Sequence, residues 1–195
     1  MLSTNDTAKV RGKAIASIPK FVTKKFGSEG FEQWFDAISS EADQTYLFPI
    51  ANDEWYPLKE LLIEPSIVIS RLFYDGNIKK AAWEMGRFSA DYGLGNLVKL
   101  VVKMGPAKYL IKKSKEVLTS YYNSGVVELE EISKNTYIAR LRDFLGIEKV
   151  IEYRMAGWLE RALEISGCKH ITIDIRQSST ESDPYTEFFL SWRNE

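Results

Sequence analysis

The sequence predicts an α+β fold: a helical part over residues 1–124 packed on a C-terminal four-stranded antiparallel sheet with one helix, residues 125–195, in the order ββαββ. Three observations predict it. Apolar residues recur at helical spacing through the first two-thirds of the chain. From Val127 the apolar period falls to two. An amphipathic helical stretch over residues 147–166 then separates one pair of alternating segments from another. With no internal repeat, low-complexity tract or long linker, residues 1–195 are expected to form one domain.

The elements follow in order. Thr4, Asn5 or Asp6 offers a cap for a first helix carrying Val10, Ala14, Ile18, Phe21 and Val22. Pro19, lacking an amide donor, is expected to kink or divide it. Gly27 supplies a stop and Ser28 a fresh cap for a second helix burying Phe31, Trp34, Phe35 and Ile38. Residues 41–56 are expected to be irregular, with Pro49 and Asn52-Asp53 as breakers. Trp55-Tyr56-Pro57 opens a further helical region that ends near Asp75-Gly76, and residues 77–92 form a helix with Ile78, Ala81, Ala82, Met85 and Ser89 on one side. Gly93 and Gly95 interrupt; helices over 96–103 and 106–122 follow, with Pro106 at a first helical position.

In the last third, Val127, Leu129 and Glu131 alternate with Glu128, Glu130 and Ile132, and Tyr137, Ala139 and Leu141 with Ile138, Arg140 and Arg142. This is a hairpin pattern in which Glu128 and Glu130 face Arg140 and Arg142. The helix over 147–166 carries Ile151, Met155, Trp158, Leu159 and Ala162 and stops at Gly167. Ile171, Ile173 and Ile175, then Phe188, Leu190 and Trp192, mark two closing strands.

Composition excludes several function classes. Lys and Arg number 26 against 27 Asp and Glu, a net charge of −1, without the basic excess of a nucleic-acid or anionic-membrane binder. No apolar run reaches the ~20 residues of a membrane span. The single cysteine, Cys168, forbids an internal disulfide and fits a reducing compartment. Met1-Leu2-Ser3-Thr4-Asn5-Asp6 lacks the basic start and apolar stretch of a signal peptide, so a cytoplasmic location is expected.

Catalytic signals are missing. One histidine, His170, rules out multi-histidine metal sites, and its strand register with Thr172 and Asp174 turns it to solvent. No metal is expected. Cys168, after Gly167, reads as a buried apolar residue. Gly86, Gly93 and Gly95 fit neither phosphate-binding glycine pattern. Glu160 and Glu164 read as solvated or capping residues, as do Glu29 and Glu32, and Lys103, Lys108, Lys112, Lys113 and Lys115 spread around a helix. No constellation for an enzyme emerges.

Several segments together resemble a known family. Val10-Arg11-Gly12-Lys13, Phe21-Val22, Phe26-Gly27 and Glu84-Met85-Gly86-Arg87 resemble segments of heme nitric-oxide/oxygen-binding (H-NOX) domains. The ββαββ end, with Gly157-Trp158-Leu159 in its helix, is similar to the sheet shared by H-NOX, 4-vinyl-reductase-type and TRAPP-type domains. Trp55-Tyr56-Pro57, Phe73-Tyr74-Asp75-Gly76, Gly86-Arg87 and Gly105-Pro106 resemble bacterial heme-free relatives of H-NOX.

The resemblance implies an H-NOX-like fold and a sensor role. Where the family carries its heme-ligating histidine, near 104–109, this chain has Lys108 and Tyr109, and Tyr137 to Arg142 is a partial echo of the propionate-holding Tyr-x-Ser-x-Arg motif. Heme is therefore not expected, and no other cofactor is. The expected function is a non-catalytic signalling domain that senses an apolar small molecule held between helices and sheet. Phe73, Trp83, Tyr92, Leu97, Val101, Met104, Tyr109 and Trp158 are the expected lining, with Lys108 as an anchor for an anionic group. The alternative is a protein-interaction or homodimerisation module of the same fold without a pocket, using Phe188-Phe189-Leu190-Ser191-Trp192 or the Trp34-Phe35 helix as an apolar patch.

Overall fold

The structure, a computed structural model, describes residues 7–94 and 107–193. The described chain is α+β. Its helical part comprises α1 (Gly12–Ile15), α2 (Ser17–Ala37), α3 (Ser40–Tyr46), α4 (Glu64–Phe73), α5 (Ile78–Leu94), α6 (Ala107–Lys112) and α7 (Ser114–Tyr121). The C-terminal part follows as β3 (Val126–Ser133), β4 (Thr136–Arg142), α8 (Lys149–Ile165), β5 (Lys169–Gln177) and β6 (Thr186–Arg193). Two short strands, β1 (Lys9–Arg11) and β2 (Trp55–Pro57), make a separate antiparallel ribbon. No helix among the described residues is long and apolar enough to cross a membrane.

Pro19 and Gly27 act as the sequence indicates, by different means. The chain breaks at Ala16, between α1 and α2, and Pro19 sits in the first turn of α2, where its missing amide breaks no helical hydrogen bond. Gly27 takes φ +75° inside α2 and kinks it into two helices, a conformation that strains any L side chain.

Three local expectations are corrected. Val10 belongs to β1, not to a helix, because Lys9–Arg11 pairs with Trp55–Pro57, which is a strand and not a helix start. Residues 40–46 are helical, with the Ser39 side chain accepting from the Ala42 amide as a cap. The helix expected over 106–122 is divided at Lys113 into α6 and α7.

A π-helical turn, Lys59–Ile63, precedes α4, whose first turn holds Pro65. Pro65 cannot donate to the carbonyl four residues back, that of Leu61. The Tyr46 hydroxyl donates there instead, at 2.6 Å. Trp34, fully buried, donates its indole N–H to the Pro65 carbonyl at 3.1 Å. The helical core around these contacts includes Phe26 stacked on Phe73 with ring centroids 4.1 Å apart.

The sheet has the order β3-β4-β6-β5, antiparallel throughout. Tyr137, Ala139, Leu141, Ile173, Phe188, Leu190 and Trp192 are buried on one face against α8, the alternation read from the sequence. On the other face Arg142 pairs with Glu128 at 2.9 Å and Arg140 with Glu130 and Glu187 at 2.8 Å. His170 is exposed, with φ +48° at an irregularity in the β5–β6 register.

The ribbon ties the start of the described chain to the end of α7. Val10 bridges to Tyr122, and the Asn123 side chain accepts from the Lys9 amide at 2.8 Å and donates to the Thr7 carbonyl at 3.0 Å.

Candidate functional site: a cavity between helices and sheet

Helices α5 and α8 pack closely because two glycines remove the atoms that would separate them. A Cβ at Gly86 would lie 2.1 Å from the Arg154 carbonyl oxygen, and one at Gly157 would lie 2.1 Å from that of Trp83. Arg87, next to the first glycine, bonds Glu160 and, through two nitrogens at 2.9 and 2.8 Å, Glu164. Those bonds raise the Arg87 guanidinium above its ordinary range. Glu160, which also accepts from the Trp83 indole at 2.8 Å, and Glu164 are thus interhelical partners and not the solvated or capping residues expected from sequence.

Where this helix pair meets α7 and the sheet, a cavity of about 100 Å³ remains. Gly86 and Ser89 of α5, Val117, Leu118 and Tyr121 of α7, and the following Tyr122 form one side. Arg154, Met155, Trp158 and Leu159 of α8 and Val127, Ala139, Leu141 and Phe188 of the sheet form the other. The lining is overwhelmingly apolar and includes no carboxylate.

Arg154 is the anomaly of this wall. It is 4% exposed, yet its guanidinium makes no hydrogen bond or ion pair among the described residues, and Nη1 is sealed from solvent without a partner. Burial lowers its pKa from the ordinary value, opposed by the hydroxyls of Tyr122, Tyr46 and Tyr121. Burial in turn raises the phenols of Tyr121 and Tyr122, and the Arg154 charge works against that rise. An unpaired buried cation costs several kcal/mol.

A second buried charge is fully satisfied. Glu152, also on α8, accepts from Ser178 at 2.7 Å and Thr180 at 3.2 Å, and Thr186 donates to its other oxygen at 2.5 Å. Among the described residues no cluster of three or more His, Cys, Asp or Glu side chains is arranged to hold a metal.

The residues expected to line a pocket are dispersed. Trp158 is on the cavity wall. Phe73 is stacked on Phe26 in the helical core. Trp83 faces a polar groove shared with Glu152 and Asp174. Tyr92 is 40% exposed and accepts from Lys20 at 2.6 Å, and Tyr109 is 42% exposed. Leu97, Val101 and Met104, and the side chain of Lys108, lie outside the described residues. The group that sequence reasoning missed is Arg154 with Tyr121 and Tyr122. Its signal was present: Arg154 falls three residues after Ile151 and four before Trp158, on the apolar stripe of α8.

The sequence matches no known family profile and no curated protein. Solved structures do match. The Fe(II) unliganded H-NOX protein from K. algicida superposes with a TM-score of 0.71 at 12% identity, over 95% of this chain and 97% of that one. An H-NOX protein from S. oneidensis in the Fe(II)NO state gives 0.74 at 12%, over 94% and 99%. An oxygen-binding H-NOX domain related to soluble guanylate cyclases, solved as its oxygen complex, gives 0.65 at 12%, over 94% and 95%. The chain therefore has an H-NOX-like fold.

This likeness corrects the cofactor expectation. The absence of a cofactor, argued from the missing histidine and the incomplete Tyr-x-Ser-x-Arg motif, is contradicted by neighbours solved in Fe(II), Fe(II)NO and oxygen-bound states, and by a further neighbour from a study of heme distortion. The expectation rested on one ligand type at one position, whereas a fold that encloses an apolar space beside α8 can present other donors.

Proposed function

We propose that this chain is a small-molecule-sensing signalling domain whose guest enters the cavity between α5, α7, α8 and the sheet. The observation that carries the reading is the cavity itself: an apolar space at the junction of helices and sheet, with a few polar groups converging on it. The H-NOX-like fold supports it.

Heme is the cofactor to which the fold points. The donor chemistry of the cavity fits that group. Arg154 would take a carboxylate, and Tyr121, Tyr122 and Met155 carry the phenol oxygens and thioether sulfur that ligate heme iron elsewhere. His170, exposed on β5, is not on the wall. At about 100 Å³ the space is below the ~300–1,000 Å³ of sites for drug-sized ligands, so a macrocycle must widen it far more than a one-ring guest would. When bound, heme iron would supply a coordination position for a diatomic gas. The chain's own residues would enclose it, exclude water with Leu159, Phe188 and Trp158, and hold positive charge at Arg154.

The test is titration of the purified full chain with hemin, read by absorption and native mass spectrometry, beside a thermal-shift screen of one-ring compounds. A one-to-one complex, with heme or with a small guest, is the expected result. No complex with either and no thermal shift would overturn the reading.

A further inference from the structure

Among the described residues the Arg154 guanidinium has no anion, and the wall of the adjoining cavity offers none. Around it are the hydroxyls of Tyr46, Tyr121 and Tyr122, and Tyr46 is already committed to the Leu61 carbonyl. The other arginine of the wall, Arg140, is taken by Glu130 and Glu187. The contrast with Glu152, two residues away on the same helix and given three hydroxyl donors, is instructive. The fold can satisfy a buried charge on α8 where the charge is structural.

We propose that Arg154 is the receptor for a carboxylate on the cavity's guest, which makes the ligand class an apolar body bearing an anionic edge. A guanidinium presents paired N–H donors that match the two oxygens of a carboxylate, and at a side chain as buried as Arg154 that bond is strong. The apolar remainder of the wall, Leu118, Leu141, Leu159 and Phe188, receives the body of the molecule. The volume sets its size: an apolar cavity of about 150 Å³ holds a benzene ring, so at about 100 Å³ this space takes a short-chain monocarboxylate as it stands and a one-ring acid once it widens slightly. The carboxylate edge of heme is the other source of the same chemistry. The inference rests on the cavity being a ligand site.

Binding of benzoate and of its neutral isostere benzamide to the full chain tests it, by calorimetry, in the parent protein, Arg154→Met and Arg154→Lys. Hemin and its dimethyl ester, read by absorption, form the second arm. The expected result is a preference of about tenfold or more for the acid over its neutral counterpart, falling below about twofold in Arg154→Met and partly kept in Arg154→Lys. A preference seen with benzoate assigns a free carboxylate; one seen with hemin alone assigns the heme carboxylates. Circular dichroism of Arg154→Met establishes that the variant is folded. Acid and neutral forms binding equally, with no effect of Arg154→Met, would overturn the role of Arg154 while leaving the cavity a ligand site. No binding of any of the four probes would remove both.

Discussion

Gly86 of α5 lies directly against the backbone of Arg154 on α8, so that a β-carbon at residue 86 would come within 2.1 Å of the Arg154 carbonyl oxygen. Three residues away on each helix the relationship is repeated in reverse, with Gly157 against the Trp83 carbonyl. The two glycines let the helices touch, and the depth of that contact fixes how far Arg154 is carried inside.

Gly86→Ala and Gly157→Ala are each expected to destabilise the protein by about 1–3 kcal/mol, because backbone, unlike a flexible side chain, cannot step aside. For a chain of this length that lowers the melting midpoint by roughly 2–4 °C per kcal/mol. Thermal unfolding followed by circular dichroism measures it, and a midpoint equal to the parent's would show that the helices separate freely.

Arg154→Met should do the opposite in the absence of ligand. Replacing an uncompensated buried cation by an apolar side chain of similar length removes the desolvation cost, a gain of about 1–3 kcal/mol. A lower midpoint for the variant would mean that the guanidinium has a partner that stabilises it.

Tyr46→Phe leaves the Leu61 carbonyl without the donor that Pro65 cannot provide. A buried acceptor deprived of its partner costs about 1–3 kcal/mol. Double replacement with Pro65→Ala, which restores an amide at residue 65, should recover part of the loss in chemical denaturation. A strictly additive double variant would sever the two residues.

Alkaline pH should weaken the fold. Burial pushes the Cys168 thiol from 9.0 up to about 11 and the Tyr74 phenol from 10.0 up to about 12. Both groups favour the protonated form in the native state, so their contribution is complete below the unfolded values and is lost as pH rises through the folded ones. Urea midpoints should therefore fall between pH 9 and 12, and Cys168 should resist alkylation at pH 8 until the protein unfolds. Rapid labelling of the native protein would contradict the burial.

The sheet was legible because alternation is a local signal: Tyr137, Ala139 and Leu141, or Phe188, Leu190 and Trp192, face one way by the geometry of a strand. The ribbon was not. Lys9–Arg11 and Trp55–Pro57 are too short to alternate, and Val10 satisfies helical spacing with Ala14, so only pairing distant in sequence makes strands of them. Ala42 is buried in a helix whose cap, Ser39, stood in plain view, but Pro49 and Asn52-Asp53 drew the whole region toward a loop. Gly86-Arg87 and Gly157 stood out by resemblance, while their physical role, close helix approach sealed by an arginine fork, needs both helices at once. Arg154 escaped notice because an arginine on a helix is ordinarily solvated, and its place on the apolar stripe has meaning once the other side of that stripe is known to be enclosed.

Tyr122 belongs to two structures at once. It is part of the cavity wall, and through its bridge to Val10 it is also the last rung of the small N-terminal ribbon, locked there by the two hydrogen bonds of the Asn123 side chain. A guest that displaced Tyr122 would therefore act on a side chain joined directly to β1 and, through its pairing, to β2. One residue thus joins the wall of the interior to the strand pair that closes the start of the described chain.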